Sequence, residues 1–309
     1  MKKPIIMDCD PGHDDALALL LAFASDELDV KAVTTVGGNQ TSEKTLNNAM
    51  RVLSYAGITD VPVAPGASQP LIRELQIAPE VHGESGLEGP ELPEPTFEAY
   101  DKSAIELMEE VIMASEEKIT LVPTGPLTNI ATLLLTVPEA KDRIERISLM
   151  GGSAVGGNWT PAAEFNILVD PEAADVVFQS GIPITMCGLD VTHQAQIYDD
   201  EIESIRSQGG KVSVMVAELL DFFAKFHKQL GFEGSPLHDP CAVAWLIKPE
   251  LFTSRHLHVD IETRGEFTSG ATVVDYRGVT GKHPNTDVVY DVDRKAFIQL
   301  LMDSFKKYD

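Results

Sequence analysis

Short apolar runs alternate along most of the chain with longer segments of helical periodicity. The runs are rich in β-branched residues and short enough for buried strands, and they lie at 4–8, 30–36, 118–123, 146–150 and 183–187. Apolar positions with helical spacing fill the segments near 14–25, 41–57, 103–116, 126–136, 170–180 and 211–230. This alternation predicts a mostly parallel sheet with helices on both faces.

The C-terminal part of the chain shows a different pattern. Apolar runs follow one another there without long helices between them, and a helical pattern comes last, at 257–263, 272–276, 288–292 and 297–306. We therefore expect a few antiparallel strands near the C-terminus. The Pro- and acid-rich stretch 82–100 is too polar and too interrupted for a core element and is predicted to be a loop. With no internal repeat or linker, the predicted fold is a single-domain, Rossmann-like open α/β fold over residues 1–309.

Composition narrows the classes of partner. Acidic residues outnumber basic ones by 48 to 24, which gives a formal net charge of −24. Such a field repels nucleic-acid backbones, so no nucleic-acid partner is expected, whereas a neutral small ligand or a divalent cation is compatible with it. The longest apolar tract, 16–24, is too short to span a membrane, and no membrane partner is expected.

The cysteines indicate the compartment. Cys9, Cys187 and Cys241 are scattered and odd in number, which argues against a disulfide framework and favours a reducing environment. The first residues lack the long apolar stretch of a signal peptide. The expected location is therefore cytoplasmic.

The densest group of acids follows the first predicted strand, in MDCDPGHDDA at 7–16. Asp8, Asp10, Asp14 and Asp15 lie there with no lysine or arginine among them, and like charges this close raise one another's pKa values unless a cation or strong donors compensate. Acids in a first helical turn favour the helix, which explains Asp14 or Asp15. A hard divalent cation explains the acids on the strand end as well.

Other predicted strands also end in polar segments, and the carboxyl ends of parallel strands form one edge, where ligands bind. Thr124, in VPTGPLTN at 122–129, could present its carbonyl to a metal, but this segment is also an ordinary turn with Pro126 at the first helical position. His238 and Asp239 precede Pro240. They are an ordinary helix start that could also supply an acid ligand and a proton donor.

A polar loop at 156–174 is predicted to precede a helix. It carries Asn158, Glu164 and Asn166, whose amide and carboxylate groups suit hydroxyl-rich ligands. Alone, this loop is weak support for a site. The residues by themselves indicate a metal-assisted hydrolase that acts on a small hydroxylated ligand.

In combination and in this order, these segments resemble the inosine–uridine-preferring nucleoside hydrolase family. The resemblance covers essentially the whole chain and rests on DCDPGHDDA, GGN, HGESGL, PTGPLTNIA, LMGG, AEFNILVDPEAA and HDPCAVA. It implies hydrolysis of ribonucleosides, purine or pyrimidine, to ribose and free base. It also implies a homo-oligomer, either a dimer or a tetramer.

The resemblance further implies one Ca²⁺ per subunit and assigns the site residues. The metal ligands would be Asp10, Asp15, Asp239 and the carbonyl of Thr124, with open positions for a water and the ribose 2′- and 3′-hydroxyls. Asp10 would be the general base and His238 the general acid, and His82 would line the same site. The implied substrate contacts are Asp14, Asn39, Met150, Asn158, Glu164, Phe165, Asn166 and Asp239. The aromatic segment 221–227 would flank the base together with Phe165.

Two alternatives remain open. The opening IIMDCDPG also resembles the haloacid-dehalogenase phosphatases, in which a strand is followed by Asp-x-Asp, but those enzymes have Thr or Val where Gly12 stands. A nucleoside-binding protein on the same scaffold, without turnover, is the second alternative. Release of free base from a nucleoside, compared with release of phosphate from a phosphomonoester, distinguishes these classes.

Overall fold

The computed structural model describes residues 2–308. Within this range the strands are β1 Lys3–Cys9, β2 Leu28–Thr35, β3 Val63–Ala64, β4 Ile119–Pro123, β5 Ile144–Met150, β6 Ile184–Cys187, β7 Gln196–Ile197, β8 Ser235–Pro236, β9 Phe252–Leu257, β10 Val259–Ile261, β11 Thr272–Val274 and β12 Thr286–Val292. The helices are α1 His13–Ala24, α2 Ser42–Ala56, α3 Pro79–His82, α4 Ala104–Ala114, α5 Thr128–Thr136, α6 Phe165–Val169, α7 Pro171–Phe178, α8 Leu189–Thr192, α9 Asp199–Arg206, α10 Lys211–Gln229, α11 Pro240–Ile247 and α12 Arg294–Phe305. Short 3₁₀ helices lie at Pro138–Arg143, Pro249–Leu251 and Lys306–Tyr308.

The central sheet is mostly parallel, as predicted. Its order is β3-β2-β1-β4-β5-β6-β12-β9, and every neighbouring pair is parallel except β12 with β9. The antiparallel strand therefore lies at one edge of the sheet and comes late in the sequence, in agreement with the expectation for the C-terminal part. Two small antiparallel sheets, β10 with β11 and β7 with β8, lie outside it.

The five strands predicted first and all the predicted helices are confirmed, with ends that differ by a few residues. The prediction of a single strand at 257–263 is wrong. Leu257 pairs with Thr286 in the central sheet, whereas Val259 pairs with Val274 in the small sheet, so the chain changes partner at His258. The predicted loop 82–100 is confirmed except that His82 ends the short helix α3.

Two helix starts also differ from the prediction. Helix α5 begins at Thr128 after Leu127, so Pro126 precedes the helix instead of opening it. Asn166 lies in the first turn of α6, which Glu164 caps, and is not part of a loop.

Alternation along β1 places its side chains in two cores. Met7 packs on the face covered by α1 and by α10 to α12, and Ile6 packs on the face covered by α4, α5 and α7. Successive side chains of a strand point to opposite faces, so a parallel strand with helices on both sides has an almost continuous apolar sequence. This explains why the run at 4–8 is apolar up to Asp8.

The strand order changes direction at β1, which lies between β2 and β4. In open α/β sheets, ligands bind outside the carboxyl ends of the strands at such a switch point. Asp10 follows β1 there and Thr124 follows β4. Within residues 2–308, no helix is both long enough and apolar enough to cross a membrane.

Candidate active site

A cavity of about 310 Å³ opens at this edge of the sheet. Most of the predicted site residues line it, namely Asp14, Asn39, His82, Thr124, Met150, Asn158, Glu164, Phe165, Asn166, His238 and Asp239. Asp10 and Asp15 lie behind this lining, where they are hydrogen-bonded to Asn39 and Thr124. The fold thus brings together every residue predicted for the site.

The carboxylates of Asp14, Asp15 and Asp239 are buried, and their ligand oxygens lie within 4.8 Å of one another. Asp15 also accepts hydrogen bonds from the hydroxyl of Thr124 (2.8 Å) and the amide of Gly12 (3.0 Å). The helix-start role considered for Asp14 or Asp15 therefore applies to Asp15. It does not account for the other two acids.

The two carboxylate oxygens of Asp10 have different surroundings. Its Oδ2 accepts a hydrogen bond from the backbone amide of Asn39 at 2.7 Å. Its Oδ1 is buried without a partner in the part of the chain that the structure describes. A Cβ at Gly38 or Gly125 would collide with this carboxylate, so both positions require glycine. A buried carboxylate oxygen without a partner is costly unless a proton or a cation compensates it.

The electrostatics of the four acids follow from burial and proximity. Burial raises the pKa of Asp10 well above its usual range, and the nearby charge of Asp15 adds to this effect. The same two causes raise the pKa of Asp14 to about 7. The pKa of Asp239 is raised by burial and by Asp14, Asp15 and Asp10. The cavity lining, as far as the described residues form it, includes no lysine or arginine. These donors therefore fit a divalent cation with oxygen ligands, which would offset the repulsion.

On the polar side of the cavity, the side chain of Asn166 connects two backbone carbonyls by hydrogen bonds. Its Nδ2 donates to the carbonyl of Thr124 at 2.7 Å and contacts the carbonyl of Met150 at 3.3 Å. A carbonyl oxygen has two lone pairs, so the Thr124 carbonyl retains one for a further partner. Asn166 thus fixes the positions of two predicted site groups.

Glu164 and Asn158 shape the adjacent loop. The carboxylate of Glu164 accepts hydrogen bonds from the amides of Asn166 (2.9 Å), Gly152 (2.9 Å) and Ile167 (3.2 Å), and burial raises its pKa to about 7. The carbonyl oxygen of the Asn158 side chain accepts from the Phe165 amide at 3.0 Å. Both residues line the cavity and also hold its wall in place.

Aromatic rings and histidines form much of the remaining cavity lining. His238 Nδ1 lies 2.8 Å from the hydroxyl of Thr192, and burial lowers the pKa of His238 well below its usual range. The segment predicted to flank the site contributes Phe223, Phe226 and His227. His193, Phe232 and Trp159 also line the cavity and were not predicted. His193 and Thr192 come shortly after the carboxyl end of β6. Other site residues were predicted from the same kind of position, at the end of a parallel strand.

Helix α3 places His82 in the cavity, and a loop follows it. Side chains of α2 and the residues before it hold this loop at several carbonyls. Asn48 donates to Ser85 at 2.9 Å, Arg51 to Pro93 at 3.0 Å and Gln40 to Gly83 at 3.2 Å. Helix α2 and Gln40 therefore fix the position of the loop that follows His82.

Known proteins share this sequence and fold over nearly their whole length. The family model described as inosine-uridine preferring nucleoside hydrolase matches residues 5–299. The chain is 61% identical over 310 aligned positions to the pyrimidine-specific ribonucleoside hydrolase RihA of Photobacterium profundum, covering 100% of each chain. It is 59% identical to the protein of the same name from Escherichia coli strain K12, also with 100% of each covered.

A solved structure agrees with this result. The purine-preferring ribonucleoside hydrolase from Gardnerella vaginalis superposes with a TM-score of 0.93 at 32% identity, covering 99% of each chain. The match to one family over residues 5–299 overturns the phosphatase alternative, and the hydrolase relatives argue against a binding protein without turnover. The chain belongs to the inosine-uridine preferring nucleoside hydrolase family and is a ribonucleoside hydrolase, an enzyme of the glycosidase class.

Proposed function

We propose that this enzyme hydrolyses pyrimidine ribonucleosides, uridine and cytidine, to ribose and free base, and that it depends on Ca²⁺. The observation that carries the proposal is the group of buried acids beside the cavity, three of which bring their ligand oxygens within 4.8 Å of one another. A ribonucleoside offers a vicinal diol that such a site can bind together with a cation.

Asp10, Asp15, Asp239 and the Thr124 carbonyl would hold the calcium. When bound there, it supplies a positive charge that binds the ribose diol and lowers the pKa of a coordinated water. The unpartnered Oδ1 of Asp10 is suited to accept the proton of the attacking water. Asp14, which lines the cavity, faces the sugar as positive charge develops on the ribose ring during cleavage.

The base leaves with negative charge unless a donor stabilises it. The Thr192 hydroxyl, 2.8 Å from His238 Nδ1, can donate to that nitrogen, which leaves the ring hydrogen on Nε2. His238 lines the cavity and would donate a hydrogen bond from Nε2 to the departing base, which stabilises its negative charge without transfer of the ring proton. Thr192 is a positioning residue in this arrangement.

Selectivity for pyrimidines rests on two observations. Relatives at 59–61% identity, from Photobacterium profundum and Escherichia coli, are named pyrimidine-specific. The cavity of about 310 Å³ is at the low end of ligand pockets, which span roughly 300–1,000 Å³. A pyrimidine has one ring and needs less volume than a two-ring purine, which leaves more of this cavity for the ribose.

A substrate panel tests the proposed function. With calcium present, free base should be released from uridine and cytidine, and from inosine about 10²-fold more slowly, the scale on which pocket shape discriminates. Exhaustive chelation should abolish release, and added calcium should restore it. Equal rates on inosine would contradict the selectivity, and full activity of verified metal-free protein would contradict the metal dependence.

Replacing His238 with alanine should slow uridine hydrolysis by about 10²–10³-fold, the usual effect of removing one hydrogen-bond donor to a developing negative charge. The variant should leave p-nitrophenyl riboside almost unaffected, because its phenolate departs without a proton. Comparing the two rates in one preparation measures the dependence on the leaving group. Thr192→Val is the matched variant, and its effect should be smaller and of the same kind.

A purely structural role for His238 gives another result. If the ring only orients Asp239, both substrates should lose activity equally and calcium affinity should fall, as measured by isothermal titration. That outcome would count against the donor role. The same leaving-group dependence in His82→Ala would instead assign the donor to His82.

A further inference from the structure

His13 is a buried histidine next to the site that the proposed mechanism does not use. It opens α1, and its side chain is 0% exposed. Its ring runs nearly parallel to those of Phe222 and Phe223 at centroid distances of 5.1 and 5.5 Å. Its Nδ1 lies 3.1 Å from Nδ1 of His82. A ring held on several sides can fix the orientation of the neighbour that it contacts.

The contact between the two histidines has the geometry of a hydrogen bond. The ring centroids are 5.3 Å apart and the ring planes differ by 23°. This separation is close to the 3.1 Å contact plus the distance from each ring centre to its nitrogen. The two nitrogens therefore lie on the line between the ring centres, and the rings meet edge to edge. The hydrogen and the lone pair of an imidazole nitrogen point outward in the ring plane, so one ring donates to the other.

The hydrogen positions follow from the second nitrogen of His13. Nε2 of His13 lies 2.7 Å from the backbone carbonyl of Glu88. A carbonyl oxygen only accepts, so Nε2 carries the hydrogen and, in a neutral ring, Nδ1 of His13 is an acceptor. The hydrogen between the rings then belongs to Nδ1 of His82. The remaining nitrogen of His82, Nε2, has a lone pair and no hydrogen.

The backbone amide of His13 also directs its hydrogen toward the same Nδ1 of His82, at a distance of 3.3 Å between the nitrogens, which raises a second possibility. If that amide were the donor, Nδ1 of His13 would also need a hydrogen, and its ring would be positively charged. The hydrogen bonds of the ring, within residues 2–308, go to His82 and a carbonyl and not to a carboxylate. Burying such a charge without a paired anion is costly. The shorter ring-to-ring contact is therefore the hydrogen bond.

We infer that His13 is a positioning residue that fixes His82 as a hydrogen-bond acceptor toward the substrate, while His238 supplies the hydrogen. His82 lines the cavity, and its bare Nε2 would accept a hydrogen bond from a hydroxyl of the ribose. The two histidines would thus have opposite tautomers and opposite roles. This inference rests on the proposed function for its consequence in catalysis, but the tautomer is a property of the protein alone.

The tautomer is measured directly on the full-length protein labelled with ¹⁵N-histidine, in buffer with calcium and without substrate. Two-bond ¹H–¹⁵N correlations distinguish rings with hydrogen on Nδ1 from rings with hydrogen on Nε2, and the chain has only 8 histidines. The signal that disappears in His82→Gln identifies His82. We expect it to carry its hydrogen on Nδ1. A hydrogen on Nε2 in the unmodified protein would overturn the inference, whatever the substrate panel shows.

Two variants of His13 test its role. His13→Phe keeps an aromatic ring against Phe222 and Phe223 but removes the acceptor, and it should release His82 to the other tautomer. His13→Asn loses the ring but keeps an oxygen near the place of Nδ1, and it should retain the original tautomer. If His82 kept its hydrogen on Nδ1 in His13→Phe, another group would set the tautomer and the inference would fail. Should either variant not fold, the measurement on the unmodified protein still decides the hydrogen position.

Activity gives an independent measure. Loss of one well-placed hydrogen bond should lower kcat/KM of His13→Phe on uridine by about tenfold, and His13→Asn should recover most of it. The loss should be equal on uridine and p-nitrophenyl riboside, because the acceptor does not act on the leaving group. A loss confined to uridine would show that His82 donates, contrary to the inference.

Discussion

Replacing Asp10 with asparagine is expected to lower kcat on uridine by about 10⁴-fold, the upper end of what a general base contributes. Asp10 would serve as both metal ligand and base, and its buried Oδ1 has no hydrogen-bond partner among residues 2–308. Asparagine has nearly the same shape, so it fits between Gly38 and Gly125, where an added Cβ would already collide. Steady-state kinetics with calcium, together with circular dichroism to verify folding, measures the effect.

Asp14→Asn is the matched variant for this experiment. The ligand oxygens of Asp14 lie within 4.8 Å of those of Asp15 and Asp239, yet we assign Asp14 to the sugar and Asp10 to the metal. Titration calorimetry should therefore show a large loss of calcium affinity in Asp10→Asn and a smaller one in Asp14→Asn. The reverse order would exchange the two assignments. Unchanged turnover in Asp10→Asn would remove it from the mechanism.

A substrate that lacks one ribose hydroxyl should be hydrolysed far more slowly. We expect kcat/KM for 2′-deoxyuridine to be about 10⁴-fold below that for uridine, because a site built for a hydroxyl leaves its own polar groups unpaired when that hydroxyl is missing. The polar groups concerned would be those of Asp14, Asn39 and Asn166, which line the cavity. The measurement is release of uracil from both substrates under identical conditions.

The enzyme variants give this prediction an internal control. In Asp14→Asn, which weakens the sugar contacts, the preference for uridine should shrink. In Thr192→Val it should persist, since that residue acts only through His238. Comparable rates on uridine and 2′-deoxyuridine with the unmodified enzyme would show that hydrolysis does not require recognition of the ribose diol.

Much of the fold could be predicted because each strand of the central sheet up to β6, except β3, has its own apolar run. The rule that ligands bind at the carboxyl ends of parallel strands then placed Asp10 and Thr124 near one another, whereas Asp239 was assigned to the same site by the family resemblance. Strands β7 and β8 have two residues each, too few to produce a periodic pattern. The break at His258 was missed because both flanking segments are apolar, and only their pairing partners differ.

The residues that meet at the cavity were predicted from the sequence, but the contacts among them were not. His82 and His238 stand in recognisable segments, whereas the partners that orient them, His13 and Thr192, are contributed by distant parts of the chain. No local pattern indicates that a ring in one helix will meet a ring at the end of another. The hydrogen positions on the histidines depend on such contacts and could not be derived from the sequence.

The position of β1 between β2 and β4 has a consequence for how the molecule assembles. Parallel pairing joins segments that are far apart along the chain. Such pairing is slow because the entropy cost of closing the intervening loop comes before any stabilising contact forms. Asp10 follows β1, but Asp239 opens a helix that comes much later in the chain. The proposed catalytic group is therefore complete only after segments as far apart in the chain as residues 10 and 239 have come together. Recovery of activity during refolding would report the last stage of assembly, after most helices have already formed.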